Sequence, residues 1–153
     1  MAMLEIITQL FFTFAVAMEY YKYPLLGLLA AIGLLVSPNR KRFAIALVLT
    51  VVLVLAAKEL YAEPRPCLTA PGLIDCPVES GFPSAHAAVA VVVALGVLGT
   101  PWFYLLGALA AMTAYSRIYL GVHTPGQVAA GIALGALVYL LTLEWEKRGR
   151  KRP

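Results

Sequence analysis

Three separated stretches carry most of the polar chemistry of this chain. They are KELYAEPRP with Lys58 and Arg65, PSAH with Ser84 and His86, and SRIYLGVHTPGQ with Arg117, His123 and Gln127. The natural ligand for such a cationic trio is a phosphate, since an arginine fork matches its oxygens bidentately and a lysine adds a point charge. If Pro83-Ser84-Ala85-His86 opens a helix, its hydroxyl and N–H groups favour an anion by geometry and dipole. The two histidines are suited to act as nucleophile and proton donor, the pair that phosphoryl transfer needs. No carboxylate group is spaced for magnesium, so the cations must stabilise the charge that metals stabilise elsewhere. Each residue alone has a plainer explanation. Lys58 can snorkel to headgroups, Arg65 can be a loop arginine between two prolines, and His86 can bond a neighbouring helix. Arg117 is harder to dismiss, because an arginine closing an uncharged apolar run is costly unless paired, hydrated or bound to an anion.

The elements that must position these residues read as membrane helices. The chain has 153 residues, 61% hydrophobic and 13% charged, against about 25% charged in an ordinary soluble domain. Residues 43–57, 82–116 and 118–143 contain no charge, and they lack the polar faces at helical period that a soluble core helix needs. The segment MAMLEIITQLFFTFAVAMEYY has no basic start and no small-residue cleavage site, so a retained first span is expected. Basic residues cluster at Arg40-Lys41-Arg42 and in the tail KRGRKR. Both flank apolar segments as topology signals do, and no nucleic-acid partner is expected; a modest contact of the tail with anionic lipid is.

Apolar segments at roughly 4–20, 23–36, 43–60, 84–99, 102–119 and 125–143 predict an all-α, polytopic membrane protein. Its single domain, 1–153, would be a compact bundle of six transmembrane helices, the first two forming a short hairpin. With both basic clusters inside, both termini are cytoplasmic and residues 61–83 form an extracytoplasmic loop. Lys58, Arg65, Ser84, His86, Arg117 and His123 then meet at the outer face. Gly131 and Gly135, four apart, suit close packing of the last helix. Cys67 and Cys76 share the outer loop, either as a disulfide if the compartment is oxidising or as free structural thiols; as a metal site they lack ligands.

The three stretches resemble, in order and spacing, the signature motifs KxxxxxxRP, PSGH and SRxxxxxHxxxD of the type 2 phosphatidic acid phosphatase superfamily. The resemblance covers essentially the whole six-helix layout. It implies a catalytic set of His123 as nucleophile, passing through a phosphohistidine, and His86 as the acid that protonates the leaving group. It implies phosphate binding by Lys58, Arg65, Ser84, the backbone at Ala85, and Arg117, with no metal cofactor. Two positions depart from the pattern: Ala85 stands where the family has glycine, and Gln127 where it has aspartate. Four residues after His123, Gln127 shares its helical face and can accept the imidazole N–H, but brings no charge. On that footing, Gln127→Asp is expected to raise kcat, and Glu79 or Asp75 are candidates to supply the missing carboxylate.

The expected function is a metal-independent hydrolase of a lipid phosphate at the outer leaflet. Polyprenyl diphosphate, phosphatidate and phosphatidylglycerophosphate are the candidate substrates, and bilayer lipids the other partners. The sequence leaves the oligomeric state open. The alternatives are a catalytically impaired protein binding phospholipid or phosphate in the same pocket, and a transporter, for which the spans offer few polar residues beyond Thr8, Thr50 and Thr113.

Overall fold

Six α-helices and one short 3-10 turn, Pro66–Leu68, make up the computed structural model, which describes residues 2–150. The helices are α1 (Ala2–Tyr20), α2 (Lys22–Val36), α3 (Arg40–Leu60), α4 (Ala85–Gly96), α5 (Trp102–Tyr119) and α6 (Pro125–Arg150). They follow the six apolar segments, with α6 continuing past 143; the end of the basic tail, residues 151–153, lies outside the described residues.

The packing is that of a protein apolar on its outside as well as its inside. Along α3, Phe43, Ala46, Thr50 and Val54 are buried at helical spacing, while Val48, Val52 and Leu55 on the other faces are exposed. A helix apolar all round is stable only when hydrocarbon covers the face that protein does not. By length and composition α1, α3 and α6 are each long and apolar enough to cross a membrane; α2 and α4 are shorter apolar helices. With 12 residues, α4 rises only about 18 Å. It sits in the centre of the bundle, against α2, α3, α5 and α6, and is buried along most of its length from His86 to Gly96.

Close approach of α6 to α4 depends on Gly131 and Gly135. A Cβ at Gly131 would lie 2.4 Å from the Ser84 carbonyl oxygen, and one at Gly135 equally close to that of Ala88. The backbones can meet only because both positions lack a side chain.

The two ends of the bundle differ chemically. At one end, Ser37 after α2 donates to the Gly96 carbonyl (2.7 Å), and Asn39 and Arg42 at the start of α3 bond Glu146 of α6 at 2.7 and 3.0 Å. Asn39 also caps α3 by accepting from the Arg42 N–H. The other end gathers the last turns of α1, α3 and α5, the starts of α4 and α6, and the loop 61–83. Since α1 ends there and α2 ends beside Gly96, the first two helices form the expected hairpin. Within the loop Cys67 and Cys76 are joined in a disulfide.

Candidate active site

Arg65, Ser84, His86, Arg117, His123 and Gln127 are all buried, and Lys58 is partly so. All lie at the same end of the bundle, as the alternation of the helices predicts. They divide into two clusters.

The first cluster surrounds His123, in the turn between α5 and α6. Gly121 makes that turn with φ of 73°, a conformation glycine adopts without strain. The His123 and Val122 N–H groups both donate to the Arg117 carbonyl, at 3.2 Å, so the turn folds back on the end of α5. Arg65 reaches it from the loop. Its Nη1 lies 3.0 Å from His123 Nε2 and 3.2 Å from the Val122 carbonyl, and its Nε donates to the Glu79 carbonyl at 2.8 Å. Lys58, in the last turn of α3, donates to the Ser80 carbonyl. On the other side of the ring, His123 Nδ1 lies 3.2 Å from Gln127 Oε1. The expected contact forms, but from the turn before α6 and not along one helical face, since α6 begins at Pro125.

The hydrogen-bond network assigns the tautomer of His123. Gln127 Oε1 accepts from the Thr124 N–H at 3.2 Å, and Gln127 Nε2 donates to Glu63 Oε1 and the Pro64 carbonyl at 2.8 and 3.1 Å. These partners orient the amide with its oxygen toward the ring, so Nδ1 carries the proton. The lone pair is then on Nε2, facing the Arg65 guanidinium, which can only donate. Burial, followed by the positive charges of Arg65 and Lys58, pushes the His123 pKa down to about 3, against the opposing hydrogen bond to Gln127. The ring is a neutral base with its free nitrogen beside a cation.

The second cluster joins α4 and α5 to the end of α1. Arg117 is fully buried. It donates to Glu19 Oε2 at 2.6 Å, the Ala15 carbonyl at 3.0 Å and the Ser116 hydroxyl at 2.9 and 3.0 Å. His86 Nε2 lies 3.1 Å from the Met18 carbonyl, which can only accept, so Nε2 carries a proton. The side chains of Arg117 and His86 therefore both face α1. Ser84 N donates to the Gln127 carbonyl at 3.0 Å, which ties the start of α4 to that of α6. Its buried hydroxyl has no hydrogen-bond partner. Ala85 begins α4 without a positive φ, so this backbone does not require the family's glycine.

Two carboxylates escaped the motif reading: Glu19 pairs with Arg117, and Glu63 bonds Gln127. The expectation that Glu79 or Asp75 serves His123 is corrected. Glu79 is turned toward Lys22 while its backbone holds Arg65, and Asp75 lines a cavity of about 610 Å³ between α1 and the disulfide loop, together with Phe12, Tyr20 and Cys76. A second cavity, about 410 Å³ and lined by Arg42, Thr142 and Trp145, lies at the opposite end of the bundle. Neither is lined by a motif residue. Among the described residues no group of three or more His, Cys, Asp or Glu is gathered that could hold a metal ion.

Comparison with known proteins identifies the family. Residues 41–151 match the model of the PAP2 superfamily. The chain is 31% identical over 141 residues to an undecaprenyl-diphosphatase of Sulfolobus acidocaldarius, covering 86% of this chain and 66% of the relative. It is 38% identical over 117 residues to a decaprenylphosphoryl-5-phosphoribose phosphatase of Mycobacterium tuberculosis, covering 72% and 66%. It thus spans about two thirds of the length of these curated relatives. Aquifex aeolicus LpxE superposes with a TM-score of 0.67 at 26% identity, over 94% of this chain and 87% of that one. The transmembrane PAP2 type phosphatidylglycerolphosphate phosphatase of Bacillus subtilis shares the fold, with a TM-score of 0.66 at 19% identity over 100% and 81%. An all-helical bundle with its three motifs folded onto one end, matched over most of its length by the family model, belongs to the PAP2 superfamily.

Proposed function

We propose that this protein is an integral-membrane, metal-independent lipid phosphatase whose nucleophile is His123. The observation that carries the proposal is the environment of that ring: Nδ1 held by Gln127 at 3.2 Å, and an unprotonated Nε2 3.0 Å from Arg65. Nε2 attacks phosphorus, an N–P bond forms, and the bond from phosphorus to the leaving oxygen breaks, which is the lipid oxygen of a monophosphate or the bridging oxygen of a diphosphate. His86 gives a proton to the departing oxygen. Water then attacks the phosphohistidine, the N–P bond breaks, and the proton that water loses returns to His86. Lys58, Arg65 and Arg117 balance the phosphoryl charge, and a phosphoryl oxygen would satisfy the buried Ser84 hydroxyl. For Arg117 and His86 to act, substrate must exchange with their contacts on α1.

A lipid substrate fits a site at the ends of apolar helices, at headgroup depth. Among the candidates, a polyprenyl phosphate or diphosphate is favoured, since the relatives from Sulfolobus and Mycobacterium are named for polyprenyl substrates. We assign the site to the extracytoplasmic side, with both termini cytoplasmic. Arg40-Lys41-Arg42 begins α3 at the far end of the bundle, and the Cys67–Cys76 disulfide lies in the site's own loop, as an oxidising compartment permits.

The second reading, a phosphate-binding protein without turnover, is favoured by one contact: the buried pairing of Arg117 with Glu19. Purified protein assayed on phosphatidate, phosphatidylglycerophosphate and a polyprenyl diphosphate separates the two. Phosphate release in the presence of a chelator, with label trapped on His123 by an alkaline quench that preserves an N–P bond, is the expected result. Lipid binding with no release would establish the second reading, and activity restored only by magnesium would overturn the mechanism.

A further inference from the structure

We infer that Glu63 is the carboxylate that serves His123, reaching it through the side-chain amide of Gln127. This rests on His123 being the nucleophile. Both hydrogens of Gln127 Nε2 are committed to groups that only accept, Glu63 Oε1 at 2.8 Å and the Pro64 carbonyl at 3.1 Å. Its oxygen is held by the Thr124 N–H, which only donates, at 3.2 Å. Turning the amide over would set its NH₂ against that N–H and its oxygen against a carboxylate. The loop backbone also presses on it: a Cβ at Gly81 would lie 2.6 Å from Gln127 Nε2. The Gly81 N–H in turn donates to the Glu63 carbonyl at 2.8 Å, so the strap covering the amide is tied to the residue that orients it.

Glu63-Pro64-Arg65 thus brackets the imidazole. Arg65 stands at Nε2, where phosphorus would bond, and Glu63 acts at Nδ1 through one intervening amide. As the N–P bond forms the ring becomes positive, and an amide polarised by a carboxylate stabilises that charge better than an amide alone. Glutamine at 127 is therefore matched to glutamate at 63. An aspartate at 127, one methylene shorter, would replace the donating amide by a second carboxylate near Glu63, and like charges so close oppose ionisation of both. The gain in kcat expected of Gln127→Asp from sequence alone reverses while Glu63 is present.

Glu63 is a positioning residue, and the test is a cycle of wild type, E63Q, Q127D and E63Q/Q127D. Steady-state kinetics on a lipid phosphate are read together with ¹⁵N-histidine NMR in detergent. The expected results are a loss of about 10-fold or more in kcat for E63Q with KM little changed, and rescue by E63D. Q127D should lower kcat alone but raise it in the E63Q background, a reversal that a folding defect does not produce. Equal effects of Q127D in both backgrounds, or an E63Q enzyme as fast as wild type, would overturn the inference. The NMR arm needs no turnover. His123 should be a single Nδ1–H tautomer in wild type and a mixture in E63A, with His86, the other histidine of the chain, unchanged as the control. An unaltered His123 tautomer in E63A would overturn the role of Glu63. Absence of activity in wild type with the expected NMR change would instead count against the phosphatase reading and leave the relay standing.

Discussion

Arg117 and Glu19 meet at 2.6 Å, 98 residues apart in sequence, and join the end of α5 to the end of α1. The pair is largely withdrawn from solvent: the arginine side chain is 0% exposed and the glutamate 11%. Removing one partner of a buried pair leaves the other charge without compensation, typically at a cost of about 3–5 kcal/mol. Glu19→Ala should therefore lower thermal stability in detergent markedly, and Glu19→Gln less, because its amide oxygen still accepts from Arg117. If the carboxylate stands where a phosphoryl oxygen goes, inorganic phosphate should raise the melting temperature of Glu19→Gln more than that of wild type. Equal shifts would make the pair purely structural.

His123→Ala should reduce turnover by on the order of 10⁴-fold or more, since it deletes the proposed nucleophile. His86→Ala should behave differently with leaving group. A loss of about 10²–10⁴-fold is expected for a lipid alkoxide and much less for an aryl phosphate, which departs without a proton. Matching losses on both substrates would exclude His86 as the acid.

The depressed pKa of His123 sets a pH window. Above its ordinary value of 6.5 the ring is neutral in both folded and unfolded chains, and no penalty arises. Between 6.5 and about 3 the unfolded chain takes up a proton that the folded one refuses. Stability should thus fall as pH drops through this interval, by up to about 1.4 kcal/mol per unit from this group. The nucleophile itself should stay unprotonated, so no loss of kcat/KM attributable to His123 is expected between pH 7 and 5. Chemical denaturation of wild type and His123→Gln over that range measures the first effect, and initial rates of wild type the second.

Sidedness is testable with single cysteines at positions 41 and 79, in a background lacking Cys67 and Cys76. A membrane-impermeant thiol reagent should label 79 from outside the cell and 41 only after permeabilisation. The opposite pattern would place the site in the cytoplasm. Loss of the native disulfide should itself cost about 2–3 kcal/mol, from the loop entropy regained by the unfolded chain.

Partition into six helices was legible without coordinates because uncharged runs of apolar residues have little choice in a bilayer: every backbone polar group must be satisfied within the helix. The convergence of three motifs followed from the same fact, since alternate connections of a helical bundle share one end. Gly131 and Gly135 announced close packing, and the spacing of His123 and Gln127 announced their contact. The partners of these residues were another matter. Glu19 closes an apolar helix and reads in sequence as an interfacial charge; Glu63 is one acidic residue among several in the loop. Their distances to Arg117 and Gln127, 98 and 64 residues along the chain, carry no periodicity. Which carboxylate meets which cation or amide is decided by how α1 lies against α5 and how the loop folds over α6. It was packing, through the short helix α4 and the Gly81 strap, that turned a glutamine in an aspartate's place from a missing charge into a link to Glu63.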